Sequence, residues 1–138
     1  MRISEGTGQK VGTSTDVARI LTAILMSQDD NDRDKEHFYS IGLDTKNGIK
    51  YIELVSLGTL SGALIHPREV YRMAIQEAVY SLIVGHNHPS GDTSPSKEDV
   101  AITKKLKQSG EILGIKLIDH IIINNSGEHT SFLELGMM

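Results

Sequence analysis

Apolar positions along this chain follow two rhythms, and the switches between them mark its elements. Val17, Ile20, Leu21, Ile24 and Leu25 recur at helical spacing and form one stripe on a helix that Ser14, Thr15 or Asp16 can cap. Residues 1–13 are polar, glycine-bearing and aperiodic, and read as a loose N-terminus; residues 27–35 read as a charged loop. Residues 37–43 and 49–57 read as strands joined by a turn at Asp44-Thr45-Lys46-Asn47-Gly48, where Asn47-Gly48 is a strong hairpin signal. Residues 58–62 break the second strand, and Ala63-Leu64-Ile65 reads as a short extended piece.

His66-Pro67-Arg68-Glu69 opens a helix with proline at its first position, where the missing N–H costs nothing, and that helix is expected to run to about Val79. Ser81-Leu82-Ile83-Val84-Gly85 is wholly apolar in its middle, the pattern of a strand covered on both faces. A helix is expected from Pro95-Ser96 to about Gly110 or Leu113, a strand over 115–123, a turn at Asn124-Asn125-Ser126-Gly127 and a last short strand over 129–133. Strands and helices alternate after an N-terminal helix. That order predicts one α/β domain over 14–138, a mixed β-sheet sandwiched by helices.

Composition narrows the function classes. The chain has 138 residues, 38% hydrophobic and 23% charged, with no cysteine. Disulfides, a thiolate nucleophile and a cysteine-ligated zinc are excluded, so any metal site must use His, Asp and Glu. The cysteine count fits a reducing compartment, no apolar run reaches membrane length, and the first residues lead into no signal-peptide core, so a cytoplasmic location is expected. The net charge of −4 gives the domain no overall pull on nucleic acid, and direct DNA binding is expected to be weak or absent. Lys104, Lys105 and Lys107 read as a solvated helix face.

The candidate chemistry lies where the apolar strand runs out. His86 and His88 are two apart, and in extended chain side chains at that spacing point the same way, so both rings can reach one point. Asp99 falls in the first turn of the following helix and can complete a set of two imidazoles and a carboxylate, a usual ligand set for a catalytic zinc with one open position. The same residues have a plainer reading. Ser96-Lys97-Glu98-Asp99 resembles a capping box, and the histidines are also compatible with a polar loop. Asp119-His120 interrupts an apolar strand; it is either a support behind a metal ligand or a hydrogen-bonded core pair, and the second is the safer expectation. His66 reads as a cap or turn residue, His37 and His129 as surface ones.

His86-Asn87-His88-Pro89, seven residues, Ser96, two residues and Asp99 resemble the JAMM signature of JAB/MPN metalloproteases. With Gly58-Thr59-Leu60, His66-Pro67-Arg68-Glu69-Val70, Pro95-Ser96-Lys97-Glu98-Asp99 and Asp119-His120-Ile121-Ile122, the chain resembles the RadC family over roughly Ser14 to Phe132. The resemblance implies a JAB/MPN, cytidine deaminase-like architecture and one zinc held by His86, His88 and Asp99, although imidazole and carboxylate ligands also suit iron or manganese. It implies Ser96 as the donor to an oxyanion and an upstream Glu as general base. Glu36 stands in that place, with Glu53 and Glu69 as rivals. The implied activity is hydrolysis of a peptide or isopeptide bond in a protein substrate. The family name also implies DNA repair, and two alternatives follow: a non-catalytic or DNA-associated module in repair or mobile-element biology, and a metal-dependent hydrolase of nucleic acid. Asn87 departs from the Ser or Thr usual in the JAMM signature but fits RadC.

Overall fold

A computed structural model describes residues 1–4, 6–58 and 65–138. The described strands are β1 (Arg2–Ile3), β2 (Glu36–Leu43), β3 (Ile49–Gly58), β4 (Ser81–Asn87), β5 (Lys116–Ile123) and β6 (His129–Ser131), and the helices are α1 (Ser14–Met26), α2 (Asp30–Arg33), α3 (Pro67–Gln76) and α4 (Lys97–Leu113). The strands form one sheet in the order β1-β3-β2-β4-β5-β6. β4 and β5 are parallel, joined through α4, and the other pairs are antiparallel. This is the expected mixed sheet with helices on its faces.

Strand alternation divides the core in two. Tyr39, Ile41 and Leu43 of β2, Ile83 of β4 and Ile121 and Ile123 of β5 pack with Val17, Leu21, Ile24 and Leu25 of α1. Phe38, Leu82, Val84 and Leu117 point the other way and pack with Val70, Tyr71 and Ala74 of α3 and Ile102 and Leu106 of α4. β4 is thus covered on both faces, as its unbroken apolar run predicts. The even-numbered side chains of β2 and β4 belong to the α3–α4 face, which sets where His86 can point.

The helix ends follow local chemistry. α1 starts at a capping box in which Thr13 accepts from the backbone of Asp16 and the Asp16 carboxylate accepts from the backbone of Thr13, one position before the expected caps. α3 is capped by His66, as expected, but ends at Glu77, because Ala78 turns to a left-handed φ of 51°. α4 stops at Gly114, whose φ of 74° suits a residue without Cβ.

Three expectations need correction. Residues 1–13 are not loose throughout: β1 pairs with β3, Lys10 bridges to Gly48, and Val11 enters the core. They cap the exposed edge of β3, whose backbone groups would otherwise lack partners within the sheet. The charged loop contains α2, started by the Asp29 side chain accepting from Asp32 N–H. His37 is buried, its Nδ1 2.8 Å from the Lys35 carbonyl and its ring 6.0 Å from that of Tyr39. The expected break at 58–62 and the extended piece at 63–65 lie largely outside the described residues.

Candidate metal centre

β4 extends two residues beyond its apolar run, so that His86 and Asn87 are strand residues rather than loop. His86 therefore inherits the orientation of Leu82 and Val84 and is fully buried against the α3–α4 side, its ring 6.0 Å from that of Phe38. Residues 88–96 then carry the chain across to α4, and the site forms at the carboxyl end of the parallel β4–β5 pair, where open α/β sheets commonly place ligands.

Three groups converge there. His86 Nε2 lies 2.9 Å from His88 Nε2 and 3.1 Å from Asp99 Oδ1, and His88 Nε2 lies 3.1 Å from Asp99 Oδ2. Donor atoms about 2.0–2.1 Å from a tetrahedral zinc stand about 3.3 Å from one another, close to these separations. His86 and Asp99 are buried and His88 is half-buried. The donor set itself fits a cation: His88 Nδ1, 2.7 Å from the Asp92 carbonyl, must donate to it, which leaves Nε2 as a lone pair facing the carboxylate. Among the described residues this is the one group of three His, Cys, Asp or Glu side chains close enough to share an ion.

The capping box and the candidate ligand set share Asp99. Ser96 Oγ accepts from Asp99 N–H at 3.0 Å, and Asp99 Oδ2 accepts from Ser96 N–H at 2.9 Å. The cap fixes the carboxylate that meets the two imidazoles, and the Ser96 hydroxyl proton is left to donate elsewhere. Burial works to raise the Asp99 carboxyl, but the imidazoles of His86 and His88 beside it, which can donate from Nε2 when protonated, and the Ser96 N–H outweigh it and hold the group well below the usual carboxylate range. The bond to Asp99 raises His88 above the ordinary histidine value against its burial, and the Glu36 carboxylate acts in the same direction.

Glu36 is the first residue of β2, opposite Gly58 of β3. On its other side Phe38 opposes His86 as the last pair of the ladder, and strand alternation puts Glu36 on the same face of β2 as Phe38. Where the backbone ladder ends, the Asn87 side chain continues it: Oδ1 accepts from His37 N–H at 2.6 Å and Nδ2 donates to the Lys35 carbonyl at 3.0 Å. Of the rivals, Glu53 lies on β3 opposite Ser40, one strand further from β4, and Glu69 pairs with Arg72 in the first turn of α3.

Asp119 and His120 part company on opposite faces. Asp119 accepts from Ser131 Oγ, Leu133 N–H and His120 N–H and ties down the C-terminal turn, while burial pushes its carboxyl above the usual value. The His120 ring instead backs the candidate site, with Nε2 2.7 Å from His86 Nδ1, and burial holds it well below the usual histidine value. The expected core pair is thus reduced to one bond from the His120 N–H to the Asp119 carboxylate. The interruption of the apolar run was the sequence signal for His120; Thr103 and Asn87 had none.

The RadC-like JAB domain matches this sequence over residues 11–137. The chain belongs to the RadC family. RadC-family relatives include a UPF0758 protein of Desulforamulus reducens, 45% identical over 114 residues, covering 83% of this chain and 50% of that protein. A UPF0758 protein of Staphylococcus epidermidis is 49% identical over 114 residues, 83% of this chain and 50% of that protein. One of Methanosarcina mazei is 46% identical over 130 residues, 94% of this chain and 54% of that protein. The chain spans about half the length of these RadC-family relatives. No described helix is long and apolar enough to cross a membrane.

Proposed function

We propose that this chain is a zinc-dependent amide hydrolase whose substrate is a peptide or isopeptide bond. The observation that carries the reading is the meeting of His86 Nε2, His88 Nε2 and the Asp99 carboxylate within about a tetrahedral edge of one another, at a buried strand end. A zinc ion held by these three residues would supply Lewis acidity and water acidified to a pKa of about 7.

The protein's own groups supply the rest. Glu36, on the face of the two histidines, takes a proton from the attacking water and returns it to the leaving amine. The Ser96 hydroxyl donates to the carbonyl oxygen as that oxygen gains charge, a contribution of about 3 kcal/mol for one such donor. Ser96 also begins α4, so the positive end of a helix of 17 residues faces the same developing charge. The net charge of −4 favours a peptide over a polyanionic substrate.

The test combines elemental analysis with a panel of fluorogenic peptides and lysine-ε-linked isopeptides, run beside single-stranded DNA. About one zinc per chain is expected, lost in His86→Ala and Asp99→Ala, with amide cleavage abolished in Glu36→Gln while its zinc remains. Protein without zinc, or cleavage unaffected by Glu36→Gln, would overturn the reading; cleavage of the DNA alone would replace it with a nuclease.

A further inference from the structure

A third buried histidine stands behind the ligand set, and a threonine stands behind that. Thr103 Oγ1 is 2.7 Å from the Asp99 backbone carbonyl and 2.6 Å from His120 Nδ1. A carbonyl oxygen only accepts, so the single hydroxyl proton of Thr103 goes to Asp99, and Thr103 must accept from His120 Nδ1–H. His120 is fully buried, its ring stacked 4.6 Å from Phe132 and edge-on to Phe38 at 5.8 Å. A neutral ring protonated at Nδ1 has a bare Nε2, and that atom sits 2.7 Å from His86 Nδ1. His86 must therefore carry its proton at Nδ1. Each bond in the chain dictates the direction of the next.

We infer that Thr103 and His120 form a relay that fixes the tautomer of His86 and so keeps the His86 Nε2 lone pair turned toward the cation. The inference rests on the reading of His86, His88 and Asp99 as a metal site. Neither relay side chain touches the point where the three ligands meet, so both are positioning residues. His88 achieves the same end with a single bond to the Asp92 carbonyl, because it lies near the surface where a loop can reach it. His86 is fully buried on a strand, with side chains as its neighbours on that face, and a second imidazole takes the place of the carbonyl.

Two variants separate the relay from packing. Thr103→Val keeps the shape but removes the acceptor for His120 Nδ1–H, which frees His120 to place its proton at Nε2 and force the opposite tautomer on His86. His120→Gln keeps an acceptor for His86, whereas His120→Leu does not. Zinc affinity, measured by competition with a chromophoric chelator, is expected to fall about ten- to a hundredfold in Thr103→Val and His120→Leu, and to recover largely in Thr103→Ser and His120→Gln.

The second readout is the long-range proton–nitrogen NMR spectrum of the histidine rings. A proton on His86 Nδ1 is expected in wild-type protein with and without zinc, and its loss in metal-free Thr103→Val. Wild-type zinc affinity in folded Thr103→Val and His120→Leu would overturn the relay, as would a wild-type His86 protonated at Nε2 with a bare Nδ1. Wild-type protein that takes up no zinc would end the functional reading, and the relay would then stand or fall on the ring spectrum of the metal-free protein.

Discussion

Asn87 grips the chain on both sides of Glu36, accepting from His37 N–H and donating to the Lys35 carbonyl. β4, which presents His86, thereby also holds the start of β2, where Glu36 lies. Asn87→Ala would leave the buried His37 N–H without its acceptor, and an equilibrium urea titration is expected to show a loss of about 1–3 kcal/mol. The three ligands are untouched by the change, so zinc stoichiometry is expected to stay at wild type while turnover falls with the displacement of Glu36.

Under the proposed function, zinc and the proton would compete for His88. The bond to Asp99 raises the folded-state pKa of His88 above the ordinary 6.5. Metal-free protein therefore draws stability from this pair that is whole below that value and is lost as pH rises through the folded-state pKa. Zinc binds only once the proton has left. Added zinc is expected to raise Tm more at about pH 8 than at about pH 6, and calorimetry at the two pH values checks it. An equal shift at both would show that His88 binds no zinc.

Gly110 sits inside α4, where alanine would ordinarily stabilise a helix by about 1 kcal/mol. Here a Cβ would stand 2.3 Å from the Ile115 carbonyl oxygen and 2.4 Å from the Tyr71 hydroxyl, which is itself anchored on the Leu106 carbonyl at 2.8 Å. The sign is expected to reverse: Gly110→Ala should cost about 1–3 kcal/mol by thermal or urea unfolding.

Asp119 is a buried acid whose carboxyl is pushed above its ordinary 3.8 by desolvation. Its protonated form is the favoured one in the fold, so the stability it confers is complete below that value and is lost as pH rises through the folded-state pKa. Asp119→Asn keeps the size and an acceptor for His120 N–H and Leu133 N–H. The variant is expected to be at least as stable as wild type at neutral pH, with the difference closing as pH falls toward about 4. Calorimetry across that range reads both ends.

Local pattern carried most of the architecture into the sequence. The stripe from Val17 to Leu25, the apolar run at 81–85 and the helix expected from Pro95-Ser96 to about Gly110 or Leu113 each describe a short-range choice of backbone and face, and each has its counterpart in α1, β4 and α4. The cluster of His86, His88 and Asp99 was legible for the same reason, since strand alternation and a helix N-terminus bring neighbours in sequence together. What escaped was long-range. His120 reaches His86 across the parallel pairing of β4 with β5, and Thr103 reaches His120 by the way α4 lies over β5. The apolar rhythm of each strand reports which face is covered, not which residue of the neighbour stands alongside. The N-terminal residues were misjudged on similar grounds, because β1 owes its form to the open edge of β3.

The three ligands all come from a stretch of fourteen residues, positions 86–99, whereas Glu36 arrives from a separate strand held by antiparallel pairing with β4. A slip of one residue between those strands would rotate Glu36 to the α1 side and leave the histidines and Asp99 undisturbed. If the proposed function holds, a preparation could carry its full complement of zinc and still be misassembled, and metal content alone would be a poor certificate of competence.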